Sequence, residues 1–200
     1  MPQTKRTVHG LILAGGQSSR MGTDKALLPI EGKPLLYRLA AQLSECADTL
    51  TVAIGSSERE AVYGGILGKY AAGARMVADR IPDCGPLSGL EAGLSAIADG
   101  YAFVVACDMP RLSLPLLQKL INAAAESGAD VVHVAGQPFH ALYHTRTVTE
   151  IRRSLEAGDY RLMGLLSRLK AHSIERQAGE SPDVFANLNT PDDYKMYRAD

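Results

Sequence analysis

A chain of 200 residues with a formal net charge of −1, 46% hydrophobic and 22% charged residues has the make-up of a soluble globular protein with a sizeable core. That balance excludes a general polyanion binder, so no nucleic-acid partner is expected and any affinity for phosphate must be local. Three separated cysteines (Cys46, Cys84 and Cys107) without a CxxC pair speak against a disulfide framework or zinc site. The absence of an apolar signal core, or of a run approaching the ~18 residues of a membrane span, predicts a cytoplasmic protein with no membrane partner.

Taken in chain order, strand-like and helix-like stretches alternate. TVHGLILA reads as a buried strand, followed by a glycine loop and a helix over Pro34 to Ala47. LTVAIG (Leu50 to Gly55) is a second strand, then a polar helix or loop, then a third short strand, ARMVAD. GPLSGLEAGLSAIADG begins as a turn and continues as a helix of small residues. YAFVVACD is apolar throughout, which predicts a central strand covered on both faces. A helix from Leu114 to Ser127 stops at Gly128, and the strands ADVVHVA and FHALYH follow, with GQP between them. Helices near Thr147 to Ala157 and Tyr160 to Leu169 come next. DVFANLN reads as a last strand, and TPDDYKMYRA as a helix with Thr190 as N-cap and Pro191 in its first turn. The β-α-β-α-β order predicts an α/β fold, a doubly wound, mostly parallel sheet with helices on both faces, whose ligands bind at the carboxyl ends of the strands. No repeat or low-complexity tract divides the chain, and residues 1–200 read as one domain.

Four stretches carry candidate chemistry. In LILAGGQSSRMGTDK, Gly15 and Gly16 follow the first strand, where side-chain-free backbone lets N–H groups approach an anion. Arg20 and Lys25 add a planar fork and a point charge that would meet the phosphates of a triphosphate. The spelling is neither GxxxxGK[ST] nor GxGxxG, so this is no P-loop and no dinucleotide fingerprint. In VVACDMP, Asp108 ends the central strand and is a natural Mg²⁺ ligand, although such an Asp also caps turns. In ADRIPDCGPLSGL, Asp79 ends a strand and a helix N-terminus follows, a place that favours anions or a closely packed nucleotide. In NLNTPDD, Asn187 and Asn189 are two apart on an extended segment and would face one side, as an acceptor or second-metal site or as turn and cap groups. His133, His140 and His144 lack a placeable ligand partner and read as strand or rim residues, and Tyr143 either packs or binds.

The segment LAGGQSSRMGTDKALLPIEGKPLL also matches the nucleotidyltransferase signature LAGGxSxRMGxxKxLLxxxGxPLL. With GPLSGL, ACDMP and NTPDD, the chain resembles the molybdenum cofactor guanylyltransferases, the MobA family of the nucleotidyltransferase superfamily, over nearly its whole length. LAGG rather than LAAG, together with GPLSGL, favours guanylyl over cytidylyl members. The resemblance implies a Rossmann-like fold and transfer of GMP from GTP to the phosphate of molybdopterin, with or without molybdenum, giving a guanine dinucleotide cofactor and pyrophosphate. It further implies that Leu13, Ala14 and Gly15 touch the nucleotide with main-chain atoms, Lys25 with its side chain, and Asp79 as well, while Asp108 binds Mg²⁺. Partners would be GTP, molybdopterin and proteins of cofactor biosynthesis or molybdoenzyme maturation. The chain departs from the family pattern at AIGSS (Ala53 to Ser57), where members often carry an Asn, and at AGQPFHALYH, which lacks a His-Pro spelling. Alternatives from the same fold are a molybdopterin cytidylyltransferase or another sugar- or alcohol-phosphate nucleotidyltransferase; from another class, a non-catalytic GTP sensor or platform.

Overall fold

Strand β1 (Val8–Leu13) is apolar on both sides of its pleat because it is covered on both: Leu11 packs into one buried cluster and Ile12 into the other. The structure, a computed structural model, describes residues 8–16, 22–176 and 182–199. After β1 come a small hairpin of β2 (Pro29–Ile30) and β3 (Lys33–Pro34), helix α1 (Leu35–Cys46), β4 (Thr49–Gly55), α2 (Glu60–Leu67) and β5 (Ala74–Ala78). Then follow α3 (Pro86–Ser95), β6 (Tyr101–Ala106), α4 (Leu114–Ser127), β7 (Val131–Val134) and β8 (Gln137–His144). The chain continues through α5 (Val148–Glu156), α6 (Leu162–Arg168), β9 (Ala171–Ile174) and α7 (Pro191–Ala199).

Among the described residues, seven strands form one sheet in the order β5-β4-β1-β6-β8-β7-β9. β5, β4, β1 and β6 run parallel, while β8 is antiparallel to β6 and to β7. The expected doubly wound, mostly parallel α/β sheet is therefore present, with YAFVVA as its middle strand. The helices bury stripes read off the sequence. Leu35, Leu36, Leu39, Ala40 and Leu43 of α1 recur at helical spacing and face one side of the sheet. α4 starts where the Ser113 hydroxyl accepts from Leu116 N and stops at Gly128 in the left-handed conformation, as Gly after a helix does. α3 lies on the opposite face and is buried from Leu87 to Gly93 and beyond, so it is made of small residues.

Three readings are corrected. DVFANLN is no strand: Pro182–Phe185 form a 3-10 turn, and residues 186–189 run on without a ladder. Its buried residues, Val184, Phe185 and Leu188, follow turn spacing rather than alternation. The bend between β7 and β8 is Ala135-Gly136, not GQP, and β8 already begins at Gln137. β9, with three of its four residues exposed, and the β2–β3 hairpin were not anticipated, because neither carries an apolar signal.

Close packing of α3 gives a test. A Cβ at Gly93 would lie 2.4 and 2.7 Å from the two methyl carbons of Leu11, which is fully buried. Ala in a helix normally gains up to about 1 kcal/mol over Gly, but overpacking costs about 1–3 kcal/mol, so the clash wins. We expect Gly93→Ala to lower the thermal midpoint by about 2–8 °C by calorimetry, whereas propensity alone would raise it.

Candidate active site

Residues at or after the carboxyl ends of β5, β1 and β6, with Phe139 of the reversed β8, line a cavity of about 710 Å³, within the usual range for a ligand pocket. Its floor is the glycine loop. Ala14 N donates to Ala53 O (2.8 Å), and the next residue, Gly15, crosses Gly55 so closely that a Cβ there would sit 2.8 Å from Gly55 Cα. Gly15 is thus demanded by a second backbone. Gly16 meets nothing within 4 Å and is the glycine that faces open space.

Carbonyls of this loop and of the adjacent β4 are held by side chains. Arg59 donates to the carbonyls of Ala14 (3.3 Å), Gly16 (3.4 Å) and Ile54 (3.5 Å). The Tyr63 hydroxyl donates to Asp24 Oδ2 (2.7 Å) and lies 3.1 Å from Ala14 O. Burial, and then the bond to Asp24, push the Tyr63 pKa well above its ordinary value, so it stays a donor. Asp24 Oδ1 accepts from Ala26 N (3.0 Å) and caps the 3-10 turn Lys25–Leu27, which aims Lys25.

Lys25 Nζ donates to Asp108 Oδ2 (3.1 Å) and to Asn189 Oδ1 (2.6 Å), joining three distant parts of the chain. Asp108 follows β6 by two residues, after Cys107 N has extended the β1 ladder by donating to Leu13 O (2.9 Å). Its carbonyl accepts from Leu188 N (2.8 Å), which tethers the last segment. Beyond Asn189, Thr190 and Asp193 cap α7 reciprocally: Thr190 N donates to Asp193 Oδ2 (2.8 Å) and Asp193 N to Thr190 Oγ1 (3.1 Å). Asp108 Oδ1 is buried without a hydrogen-bond partner among the described residues. Cys107 also lines the cavity, but burial and then Asp108 raise its pKa and keep it a thiol.

At the β5 side, Asp79 N donates to Gly55 O (2.8 Å), and its side-chain Oδ1 is buried with no partner among the described residues. Burial, reinforced by Glu91 and opposed by Arg59, lifts its pKa to about 6. Gly89 of α3 leaves a slot beside it, since a Cβ there would lie 3.7 Å from Asp79 Oδ1 and 3.4 Å from Ala53 Cβ. Glu91, two residues along the helix, is buried and held by Arg152 (2.6 Å) and Arg80 (3.4 Å).

Of the residues singled out above, Leu13, Ala14, Gly15, Gly16, Lys25, Asp79 and Asp108 line one cavity. Asn189 joins them through Lys25, but Asn187 lies at the surface and donates back to Phe185 O (3.1 Å), so the two asparagines do not act as a pair. Arg20 lies outside the described residues. The histidines are structural: His133 Nδ1 sits 2.9 Å from Val134 O, His140 Nε2 2.7 Å from Arg111 O, and His144 Nδ1 accepts from Arg146 N. His140 is a core residue, not a rim one, and burial lowers its pKa to about 4. Tyr143 packs, its hydroxyl donating to Pro138 O (2.8 Å). Among the described residues no group of three or more His, Cys, Asp or Glu side chains is arranged to hold a metal. Arg59, Tyr63 and Asp24 were missed, and Gly89 was read only as part of the GPLSGL turn; of the first three, only Asp24, beside Lys25, carried any signal.

A glycine loop, a lysine and two cavity-facing carboxylates along the carboxyl edge of a doubly wound sheet are the equipment of a nucleotide-handling α/β enzyme. Residues 10–174 match the MobA-like NTP transferase domain, and the chain belongs to this family of nucleotidyltransferases. It is 36% identical over 196 residues to a probable molybdenum cofactor guanylyltransferase of Natronomonas pharaonis, covering 94% of this chain and 96% of that protein. It is 32% identical over 192 residues to the molybdenum cofactor guanylyltransferase of Vibrio atlanticus, covering 94% and 93%. In fold it is similar to the crystal structure of molybdopterin-guanine dinucleotide biosynthesis protein A from Archaeoglobus fulgidus, with a TM-score of 0.81 at 22% identity over 96% of this chain and 97% of that one.

Asp79 has a cost that can be measured. Its folded pKa of about 6 exceeds the ordinary 3.8, so between these values the folded state binds more protons than the unfolded one. Stability from this group is therefore present below about pH 4 and lost as pH rises through about 6. Asp79→Asn should gain on the wild type in thermal midpoint as pH is raised from 4 to 7; a constant difference would show that the carboxylate is comfortable where it sits.

Proposed function

We propose that this protein transfers GMP from GTP to the phosphate of molybdopterin, releasing pyrophosphate and forming the guanine dinucleotide cofactor. The observation that carries the reading is Lys25, held by Asp108 and Asn189 in the cavity that the glycine loop also lines. The names of its relatives supply the acceptor and the nucleotide. We take residues 1–200 to act as one nucleotidyltransferase domain. Among the described residues no helix is long and apolar enough to cross a membrane, and both substrates are water-soluble, which fits a cytoplasmic enzyme. The product would pass to proteins of cofactor biosynthesis or molybdoenzyme maturation.

The acceptor phosphate is ionised at neutral pH, so its oxygen attacks the α-phosphorus without a general base. A new P–O bond forms as the bond to the bridging β-phosphate oxygen breaks, and the electron pair leaves with pyrophosphate. The protein's task is alignment and charge neutralisation. Main-chain atoms of Leu13, Ala14, Gly15 and Gly16 bind the nucleotide in this scheme, and Lys25 and Arg20 hold the β- and γ-phosphates and stabilise the leaving group. At neutral pH an ionised Asp79 offers two acceptors to guanine N1–H and its amino group. Adenine and cytosine present no such adjacent pair of donors. Gly89 lines the cavity beside Asp79, so no side chain of α3 stands at that position.

Mg²⁺ fits this donor set. The unpartnered, buried Asp108 Oδ1 is an oxygen acceptor at the cavity, and Mg²⁺ is commonly held by one or two carboxylates together with substrate phosphates. When bound, the ion supplies Lewis-acid neutralisation of phosphate charge. Asp108 would hold it; Asn189, occupied by Lys25, keeps the lysine in place.

Steady-state assay of pyrophosphate release should show that Lys25→Ala and Asp108→Ala each lose about 10² or more in turnover, the scale of a lost charge-stabilising contact. Near-wild-type turnover in either variant removes that residue from the mechanism. Calorimetry with Mg²⁺ should rank GTP ahead of CTP, ATP and UTP, with the preference lost in Asp79→Ala. CTP in first place would make the enzyme a cytidylyltransferase.

A further inference from the structure

The cavity runs along much of the carboxyl edge of the sheet. From β5 to β8 it spans four inter-strand steps, about 19 Å at the usual spacing. The proposed base contact, Asp79, follows β5; the glycine loop follows β1; Asp108 follows β6. A donor lying along this edge therefore occupies the β5 to β6 part, and the reacting α-phosphorus comes near its Asp108 end. The acceptor must approach from the remaining side, at β8.

What β8 presents there is a ring. Phe139 is the one aromatic side chain among the described residues lining the cavity. It is half-buried and packed against both hydrophobic clusters, which hold one part of the ring and leave another to the cavity. Its placement is built by a break in the strand. β6 pairs with β8 only as far as Val104 opposite Ala141, and β8 then leaves β6. Between the pairs Val132–Leu142 and Val134–Gln137, β7 advances by two residues and β8 by five. Within that bulge His140 takes a left-handed φ of 57°, rare for a non-glycine residue. Its ring turns inward, between Phe103 and Phe185, with Nε2 on Arg111 O. Tyr143 fastens the start of the strand through Pro138 O. Bulges re-aim side chains beside active sites, and this one delivers Phe139 to the edge next to Ala106 and Asp108.

We infer that Phe139 is the acceptor-side stacking platform, binding the flat pyrimidine half of the pterin ring while the acceptor phosphate reaches back toward Asp108. The inference rests on the proposed acceptor, and it names a contact to the acceptor alone. GTP does not touch Phe139.

The test compares wild type, Phe139→Leu and Phe139→Tyr. Leu keeps apolar volume against the two clusters and removes the ring; Tyr keeps the ring. Molybdopterin is titrated anaerobically by calorimetry in the presence of a non-hydrolysable GTP analogue, GTP is titrated alone, and turnover is followed by pyrophosphate release. We expect Phe139→Leu to weaken molybdopterin binding and raise its KM about tenfold or more, as loss of a base–aromatic stack does. Its Kd for GTP stays within about twofold of wild type, and Phe139→Tyr returns molybdopterin affinity to within about threefold. Unchanged molybdopterin binding in Phe139→Leu, equal weakening of GTP, or no molybdopterin binding by the wild type overturns the inference. Wild-type binding without pyrophosphate release would sink the proposed activity instead, leaving the stacking contact to be judged by the titrations.

Discussion

One ammonium group holds the site together. Lys25 Nζ is shared by two oxygens, from Asp108 and Asn189, that lie 83 and 164 residues further along the chain. With side-chain exposures of 18% and 21%, the Lys25–Asp108 pair is neither dry nor free in solvent. Pairs of this kind add little net stability, because desolvation offsets attraction. What the cluster provides is geometry. It draws the turn after the glycine loop, the end of the middle strand and the last segment to one point before any ligand arrives, so ordering them is not charged to binding.

Two of the carboxylates that line the cavity, Asp108 and Asp79, are treated differently. Each has one buried oxygen without a partner among the described residues, but Asp108 has its charge met by Lys25, while Asp79 has a raised pKa and the arginine that opposes this rise, Arg59, donates to three backbone carbonyls. Glu91, buried nearby, takes Arg80 and Arg152 for itself. The protein thus keeps one carboxylate compensated and another exposed to whatever donor enters the slot, a pattern in which binding capacity is held at the expense of stability.

Much of this was legible in the chain. β1, β4, β6, α1 and α4 announce themselves by apolar period and caps, Gly15, Gly16, Asp79 and Asp108 by their places at strand ends, and Lys25 by its charge in the segment after the glycines. What stayed hidden acts through backbone or across distance. Arg59 and Tyr63 hold carbonyls of a loop more than forty residues away, and no local pattern encodes a carbonyl partner. Gly15 was read for ligand approach, yet its missing side chain answers to Gly55. Asn187 and Asn189 look like a matched pair until the segment proves to be a turn followed by irregular backbone, which sends one to the surface. DVFANLN misled because β-branched and aromatic residues also fill a buried turn.

The reversal of β8 has a consequence for how such a site can change. Because this strand runs against β6, its first residues, not its last, arrive at the active edge, carried on a hairpin that turns at Ala135-Gly136. The residues that line the donor half belong to the parallel strands and the loops after them. On the proposed placement of the acceptor beside Phe139, a change confined to this one hairpin would alter the acceptor side and leave the residues proposed for the nucleotide untouched. A fold arranged this way is a ready ancestor for a set of enzymes sharing a donor chemistry and differing in what receives it.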